Sequence, residues 1–577
     1  MPHDSSALDL ADVVVMTGVN SSSNTLVQSP PAAEKHKADL VEAADAMSPD
    51  FVPVKLTRFE FISVFVGLCI SHFLTALDQT IVSTAVPVIV KDFRSLDAIA
   101  WVGTGFFLTS TAFSPLYGKL ADIFGRKPTV LFAIVVFEIG SLICGVADVS
   151  IKRSVLVFHE HQERADASPQ SMELLIFGRA FAGVGGAGIY SLVLIIISDI
   201  VSFRDRGKYQ GVIGAVFGLS SVLGPLLGGA FTDGISWRWC FYINLPLGAV
   251  SLFVVTVFLR LPGPEGSVSA KLKRIDYLGT LFVLAATICL LISLEFGGKD
   301  WAWSDARTIV LLVLAVVLFA VFLVVEAKFA VEPLLPPSMY ENRSVYSILA
   351  ITFLLGASFF GLVYYIPTYF QIVSGNTATQ AGLQTIPLVG GVVVFSIVSG
   401  QLVSRFGYYT PFFFVGSAFL VVGSALMSTL NQFSSRGMQI GYLLLAGVGI
   451  GNMIQIRILG IQASVTPHNI GAATAASAFF MFLGGSVGVA IVGSIFNNVL
   501  QNEIGTDLSE LVTRKPTGVG SLPTAVRDKV LDGFSKAFDT SYKAIIPMAG
   551  LIFILALFVR QARPGARKAE PVVALGE

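Results

Sequence analysis

Fourteen runs of mostly apolar residues, each long enough to cross a bilayer, constrain this chain more than any other feature. A spanning helix needs about 20 such residues, because each adds about 1.5 Å across a hydrocarbon core about 30 Å thick. The runs fall near 61–90, 99–121, 129–148, 173–199, 209–232, 239–259, 276–297, 307–327, 344–366, 381–403, 411–430, 438–463, 470–496 and 542–560. Backbone polar groups in hydrocarbon must be satisfied within the segment, so runs of this length read as helices and the chain as an all-α integral membrane protein. The eighth run ends in Glu326 and the twelfth contains Arg457, charges that a span carries only at a cost.

Composition agrees. Of the 577 residues 54% are hydrophobic and only 13% charged, against roughly 25% charged in a soluble domain. This excludes a soluble enzyme, a disordered chain and a disulfide scaffold. The 55 Gly and 45 Phe suit helices packed through small residues. Lys and Arg together number 38, as do Asp and Glu, so no basic excess points to nucleic acid. Cys69, Cys144, Cys240 and Cys289 lie in or beside apolar runs without metal-ligand spacing and read as small buried hydrophobes. Residues 1–58 are polar and show no cleavable signal; they read as a disordered tail.

An even number of spans puts both termini on one side. With the N-terminus cytoplasmic, 21 Lys and Arg fall inside, 15 outside and two, Arg179 and Arg457, within spans. Nine of the outside charges come from the insert near 149–168, the loop 497–541 and Lys543 just after it; without them the ratio is 21 to 6. The positive-inside rule therefore places both termini in the cytoplasm. Asn20 and Asn342 begin the only Asn-x-Ser/Thr sites, and both then fall inside, beyond reach of glycosylation.

An internal repeat sets the plan. Gly118-Lys119-Leu120-Ala121-Asp122-Ile123-Phe124-Gly125-Arg126-Lys127 follows the second span, and Gly400-Gln401-Leu402-Val403-Ser404-Arg405-Phe406-Gly407 follows the tenth. The Gly-rich fifth span echoes the thirteenth, again eight apart. Two six-span halves alone would give an offset of six, so spans 7 and 8 are inserted between them: six, two, six. Parallel halves with a site between them at mid-membrane are a transporter pattern. The chain divides into a cytoplasmic tail (1–58), a first half (59–260), a two-helix linker (261–343), a second half (344–560) with an outer loop (497–541), and a cytoplasmic C-terminal tail (561–577).

Across roughly 60–560 the sequence resembles the major facilitator superfamily, above all its fourteen-span drug:proton antiporters of the fungal toxin and multidrug efflux type. The resemblance rests on Leu77-Asp78-Gln79-Thr80-Ile81-Val82, the Gly118–Lys127 run, Arg179 with Gly183, Gly185 and Gly188, the series Gly211, Gly224, Pro225, Gly228 and Gly229, and Trp237 to Pro246. Ser220 replaces a usual Gly of that series, and Ser404 and Arg405 degrade the second loop motif. The charged segment near 149–166 has no counterpart; its Val149-Ser150 start is what a read-through splice donor would encode, so it reads as a retained intron or a true loop.

The resemblance implies a major facilitator fold and roles for named residues. Arg179 would couple proton to substrate movement, with Asp78 and Glu138 as further ionisable groups of that path. Gly118, Asp122, Gly125 and Arg126 would form a cytoplasmic latch that braces the two halves in the outward-facing state. The Gly211–Gly229 series would bend the fifth span, allow close packing and set antiport. His72 and Arg457 are candidates for the substrate cavity, Arg457 through an anionic substrate or by pairing with Glu138 across the cavity. Phe106, Phe107, Phe359, Phe360, Phe479 and Phe480 are compatible with an aromatic lining. Gly183-x-Gly185-x-x-Gly188 matches a dinucleotide fingerprint in form only, since it lies within an apolar helix with no preceding strand.

No phosphate-binding loop of the Gly-x-x-x-x-Gly-Lys-Ser/Thr type, nucleophile elbow or metal-binding His pair occurs, which leaves an ion gradient as the energy source and no cofactor. The resemblance implies a monomeric, proton-coupled exporter of small, mostly apolar molecules at the plasma membrane. The rivals are a carrier of a polar substrate, such as a siderophore or basic amino acid, on a vacuolar membrane, and a sensor that binds without translocating. The short amphipathic stretch holding Val526, Val530, Leu531, Phe534 and Phe538 is expected to lie on the outer membrane face or cap the cavity.

Overall fold

A computed structural model describes residues 56–93, 99–147, 170–298, 301–506, 508, 509, 519 and 522–561. The tail up to residue 55, the segment near 149–166 and the tail beyond 561 lie outside the described residues. Helices stand at all fourteen expected positions: α1 (Arg58–Phe93), α2 (Ile99–Phe124), α3 (Arg126–Val146), α4 (Gln170–Ile200), α5 (Phe203–Gly234), α6 (Asn244–Phe258), α7 (Tyr277–Phe296), α8 (Ala306–Lys328), α9 (Arg343–Ile372), α10 (Ile386–Phe406), α11 (Thr410–Ser428), α12 (Arg436–Ile454, resuming as Ile456–Ser464), α13 (Ile470–Ile504) and α14 (Ile545–Ala556). Among the described residues thirteen helices are long and apolar enough to cross a membrane; α2, diluted by Gly, Ser, Thr and Pro115, falls outside that set.

The repeat read from sequence appears as a repeat of packing. In the first half α3 packs on α4, α2 on α4, and α1 on α5 and α6. Eight helices later the same pairs recur: α11 on α12, α10 on α12, and α9 on α13 and α14. The halves meet through α2 with α13 and α5 with α10, again counterparts. The linker helices α7 and α8 pack on each other, and α7 touches α2 and α13 from outside. The plan is six, two, six.

Both loop motifs end their helices by the same device. Gly125 precedes α3 at φ 100°, and Gly407 follows α10 at φ 77° in the left-handed region. Side chains rarely adopt that geometry, which accounts for the repeated Phe-Gly.

Glu326 does not interrupt α8. Its carboxylate is buried and accepts from the backbone N–H groups of Leu334 and Leu335, each at 3.0 Å, so it closes the turn that follows the helix. Asn342 is committed too: it caps α9 by accepting from Ser344 N at 3.0 Å and donates to the Ser464 carbonyl at 2.7 Å.

The stretch 497–541 differs from the loop reading. α13 runs on to Ile504, and a helix over Thr524–Lys543 leads through Ala544 into α14. Its apolar stripe neither lies flat nor caps the cavity; it is core. Phe534 and Phe538 are buried against Phe496 of α13, ring centroids 5.8 and 4.9 Å apart, and Phe538 also meets Tyr369 of α9. An amphipathic helix buries its stripe on whatever apolar face is adjacent, and here the second half supplies one.

Small residues set helix spacing. A Cβ on Gly391 would lie 2.9 Å from the Leu444 carbonyl oxygen and 3.0 Å from Val448 N, both backbone, whereas one on Gly390 would meet nothing within 4 Å. Gly391→Val is therefore expected to destabilise the protein by about 1–3 kcal/mol, as overpacking does, and Gly390→Ala to change stability by less than about 0.5 kcal/mol. Thermal unfolding of the two variants in detergent checks this; equal midpoints would show that α10 and α12 are not held at backbone contact.

Candidate functional site

Four helices of the first half bring a polar cluster into the apolar interior. Asp78 of α1 and Arg179 of α4 form an ion pair between Asp78 Oδ2 and Arg179 Nη1, with 0% and 1% of their side chains exposed. Arg179 Nε donates to the Val102 carbonyl at 2.8 Å, and its guanidinium lies 4.7 Å from the Phe106 ring centre. Asn244 of α6 donates to Asp78 Oδ1 at 3.3 Å and to Ser141 Oγ of α3 at 3.1 Å. A charge buried alone costs several kcal/mol; here each is met by the other and by fixed dipoles.

Glu138 stands one turn before Ser141 on α3, within electrostatic reach of Asp78. Both its carboxyl oxygens are buried and have no hydrogen-bond partner among the described residues. Gly248 of α6 faces it, and a Cβ there would collide with the carboxyl. The expected group Asp78, Arg179 and Glu138 is thus gathered in one place, while the expected pairing of Arg457 with Glu138 is not made.

Arg457 is occupied elsewhere. It follows the break in α12 at Gln455 and is fully buried. Nη1 donates to Ser477 Oγ at 2.6 Å and to the Ser477 carbonyl at 3.2 Å, and Nη2 donates to Tyr190 Oη of α4 at 2.9 Å. The last bond crosses between the halves. Beside it Gln210 of α5 donates to Gln462 at 3.1 Å, and Gln462 donates to Thr474 Oγ1 at 3.1 Å.

Between the halves lies a small cavity. His72, Tyr190 and Phe217 line it from the first half, and Phe359, Phe360, Gln455 and Phe482 from the second. His72 is part of the lining as expected, its ring 5.5 Å from that of Tyr190. Arg457 is not; it backs the wall behind Tyr190. Of the phenylalanines singled out in the sequence, Phe359 and Phe360 line the space, Phe107 meets Phe360 edge to face at 6.3 Å, and Phe106 covers Arg179. Phe479 and Phe480 are not part of the lining. The run Arg179, Phe106, Phe107, Phe360 links the ion pair to the cavity through ring contacts of 5.9 and 6.3 Å.

At the loop-motif end the halves touch backbone to backbone. A Cβ on Gly118 would lie 2.7 Å from the Gly471 carbonyl oxygen at the start of α13. The counterpart contact is Gly400 on Gly207 at the start of α5, where a Cβ on Gly207 would lie 2.7 Å from the Gly400 oxygen. Asp122, four residues after Gly118, faces the N-terminus of α13, which has no side-chain cap of its own; a carboxylate there is favoured by the helix dipole. Ser404, its counterpart, accepts from Lys208 N in α5 at 3.0 Å. The degraded second motif thus keeps a neutral form of the same contact.

Arg126 does not reach the second half. It binds Asp122 at 2.7 Å, Asp199 of α4 at 3.0 Å and the Ala121 carbonyl at 3.0 Å, all in the first half. Gly125 is the turn described above. Of the four expected latch residues, Gly118 and Asp122 make the contact between halves.

The α5 series divides in the same way. Gly211 meets Ser396 of α10, while Gly224 and Gly228 meet Thr80 and Thr84 of α1. Ser220 is buried there too, donating to the Val216 carbonyl at 2.9 Å, and its own carbonyl accepts from Thr80 Oγ1 at 3.1 Å. Gly229 has open space around it, and α5 continues through Pro225. Gly183, Gly185 and Gly188 admit Phe106, Phe137 and Tyr117 against α4, so the Gly-x-Gly-x-x-Gly run is a packing surface.

Sequence reasoning left Asn244, Asp199, Tyr190 and Gln455 without roles. Asn244 lay inside a quoted motif; the others are ordinary polar residues in apolar runs, and the partners of Asp199 and Tyr190 come from helices distant in sequence. Gly118→Leu is expected to force α2 from α13 and raise modification of a cysteine placed at Ala475 several-fold, read with a membrane-impermeant thiol reagent in a cysteine-free background. Unchanged modification would show that this contact does not close that end.

Comparison with known proteins follows this geometry. The Major Facilitator Superfamily model matches residues 68–489. The chain is similar to the MFS-type efflux pump MFS1 of Arthroderma benhamiae, at 35% identity over 92% of this chain and 97% of that protein. It is also similar to the efflux pump aunC of Aspergillus niger, at 38% identity over 82% and 80%. Among solved structures it shares its fold with the human organic anion transporter MFSD10, at TM-score 0.53 and 15% identity over 86% of this chain and 98% of that one. The proton:xylose symporter XylE is similar at TM-score 0.53 and 14% identity, over 86% and 94%. With its two packed halves and the cavity between them, this chain is a multi-pass membrane transporter and belongs to the major facilitator superfamily.

Proposed function

We propose that this transporter is a proton-coupled exporter of small, mostly apolar molecules, a drug, toxin or secondary metabolite, working by alternating access between its two six-helix halves. The observation that carries this reading is the buried Asp78–Arg179 pair, set beside an unpartnered Glu138 and joined to the aromatic cavity through Phe106 and Phe107. Relatives called efflux pumps support the outward direction.

The pair has a simple logic. With Asp78 ionised, Arg179 is held against α1. A proton on Asp78 removes the charge–charge attraction and leaves a buried guanidinium with neutral partners, the Val102 carbonyl and the rings of Phe106 and Phe241 among them. That state is costly, so protonation biases the packing of α1 on α4. Glu138 is a second proton acceptor at the same place, free of the hydrogen bonds that would hold it in one charge state. The latch of Gly118 and Asp122 braces the halves at the loop-motif end, and we place that end and both termini in the cytoplasm, in the plasma membrane, on the charge count. Gly211, Gly224, Pro225 and Gly228 keep α5 close to α1 and α10 and so prevent leakage during antiport. The domain limits 59–260, 261–343 and 344–560 follow the same plan, and the protein works as a monomer.

Asp78→Asn is expected to abolish proton-gradient-driven uptake of a lipophilic dye into inside-out vesicles while dye-for-dye exchange without a gradient persists. Glu138→Gln is expected to lower gradient-driven uptake and spare exchange. Gradient-driven uptake that survives in Asp78→Asn would remove this residue from proton coupling. Arg179→Ala should lose both activities, since it strands a buried carboxylate.

A further inference from the structure

Arg457 is a buried cation with no counter-ion. All its partners are neutral: Ser477 Oγ and carbonyl, and Tyr190 Oη; Nε has none. Among the described residues no carboxylate lies within ion-pair distance of it. Asp78 and Glu138 sit in the other cluster. The cavity wall in front of Arg457 holds no acid at all.

Two further polar groups in that wall are unpaired. His72 is 2% and Gln455 6% exposed, and among the described residues His72 Nδ1 and Gln455 Oε1 have no hydrogen-bond partner. Tyr190 accepts from Arg457, and among the described residues nothing accepts its own hydrogen. A hydroxyl polarised by a guanidinium behind it is a strong donor toward an anionic oxygen. The rest of the lining is aromatic or aliphatic: Phe217, Phe359, Phe360 and Phe482 surround the space.

We infer that the cavity selects planar aromatic molecules carrying one acidic oxygen, a carboxylate or phenolate, which Tyr190 binds with Arg457 supplying the charge. The inference rests on the reading of this cavity as the substrate site. The rings pack against Phe217, Phe359, Phe360 and Phe482. The anionic oxygen supplies the counter-charge that Arg457 lacks among the described residues, so a neutral isostere loses the charge-assisted bond and a cationic one meets repulsion. His72 and Gln455 bind a second polar group on the ring system. Arg457 touches Tyr190 and not the ligand, so it is a positioning residue and Tyr190 the contact.

The test measures binding, by calorimetry on the purified full-length protein in detergent, of three isosteric probes: naphthoate, naphthalenemethanol and naphthylmethylammonium. Wild type is expected to bind naphthoate at least about tenfold more tightly than the alcohol, the ratio expected of one charge-assisted hydrogen bond, and the ammonium most weakly. Tyr190→Phe and Arg457→Gln are each expected to erase the preference while leaving alcohol binding in place. Should Arg457→Gln not elute as a folded species, Tyr190→Phe, which keeps the ring, decides alone. Equal binding of acid and alcohol by wild type, or an acid preference that survives in Tyr190→Phe, overturns the inference. Gradient-driven flux is scored separately in vesicles. Acid-selective binding without flux would leave the cavity chemistry standing and overturn the export reading; flux with no acid preference would do the reverse.

Discussion

A guanidinium taken out of water must find compensation, and two of them, Arg179 and Arg457, organise the middle of this protein. Leaving one unmet would cost several kcal/mol, a large share of a net stability of roughly 5–15 kcal/mol. Arg179 is compensated by a full charge, Asp78, and thereby ties α4 to α1 within one half. Arg457 is compensated only by neutral oxygens, one of them Tyr190 from the opposite half. The first arrangement is a charge-to-charge lock inside one half. The second is a bridge between halves, placed at the wall of the cavity that the halves enclose.

The apolar surroundings impose a second constraint. Lipid tails give no hydrophobic drive for helices to associate, so contact must come from close packing and from polar groups that pair across helices. Gly118 on Gly471 and Gly207 on Gly400 provide that contact where the halves meet, and Thr80 with Ser220 provides it inside the first half. Backbone contact through glycine lets the helices approach closely at both seams. Charge is added at one seam only: Asp122 on the start of α13, against Ser404 at the counterpart.

Much of the plan was legible in the chain. Apolar runs of spanning length gave fourteen helices because hydrocarbon permits few other backbone solutions. The offset of eight between the loop motifs gave the linker pair, and the same offset reappears in which helices pack together. The identities of Asp78, Arg179 and Glu138 as a group were readable because ionisable residues are rare in spans. Where sequence reasoning failed, the cause was distance along the chain. Arg457 and Glu138 looked like partners as two unmatched charges, yet Arg457 turns to Tyr190 and Ser477, and Glu138 has no partner. The stripe Val530, Phe534 and Phe538 had the right period, but the period names no neighbour, and the neighbour proved to be α13.

Sequence alone therefore determined where the long helices fall and in what order, the duplication with its inserted pair, and the short list of residues that a low-dielectric interior makes conspicuous. These follow from local rules: length against bilayer thickness, small residues at packed faces, glycine where φ turns positive. Tertiary structure alone decided which conspicuous residue meets which. Whether a buried cation faces a carboxylate, a hydroxyl or nothing depends on helices a hundred or more residues apart, and that assignment separates the Asp78–Arg179 lock from the Arg457–Tyr190 bridge.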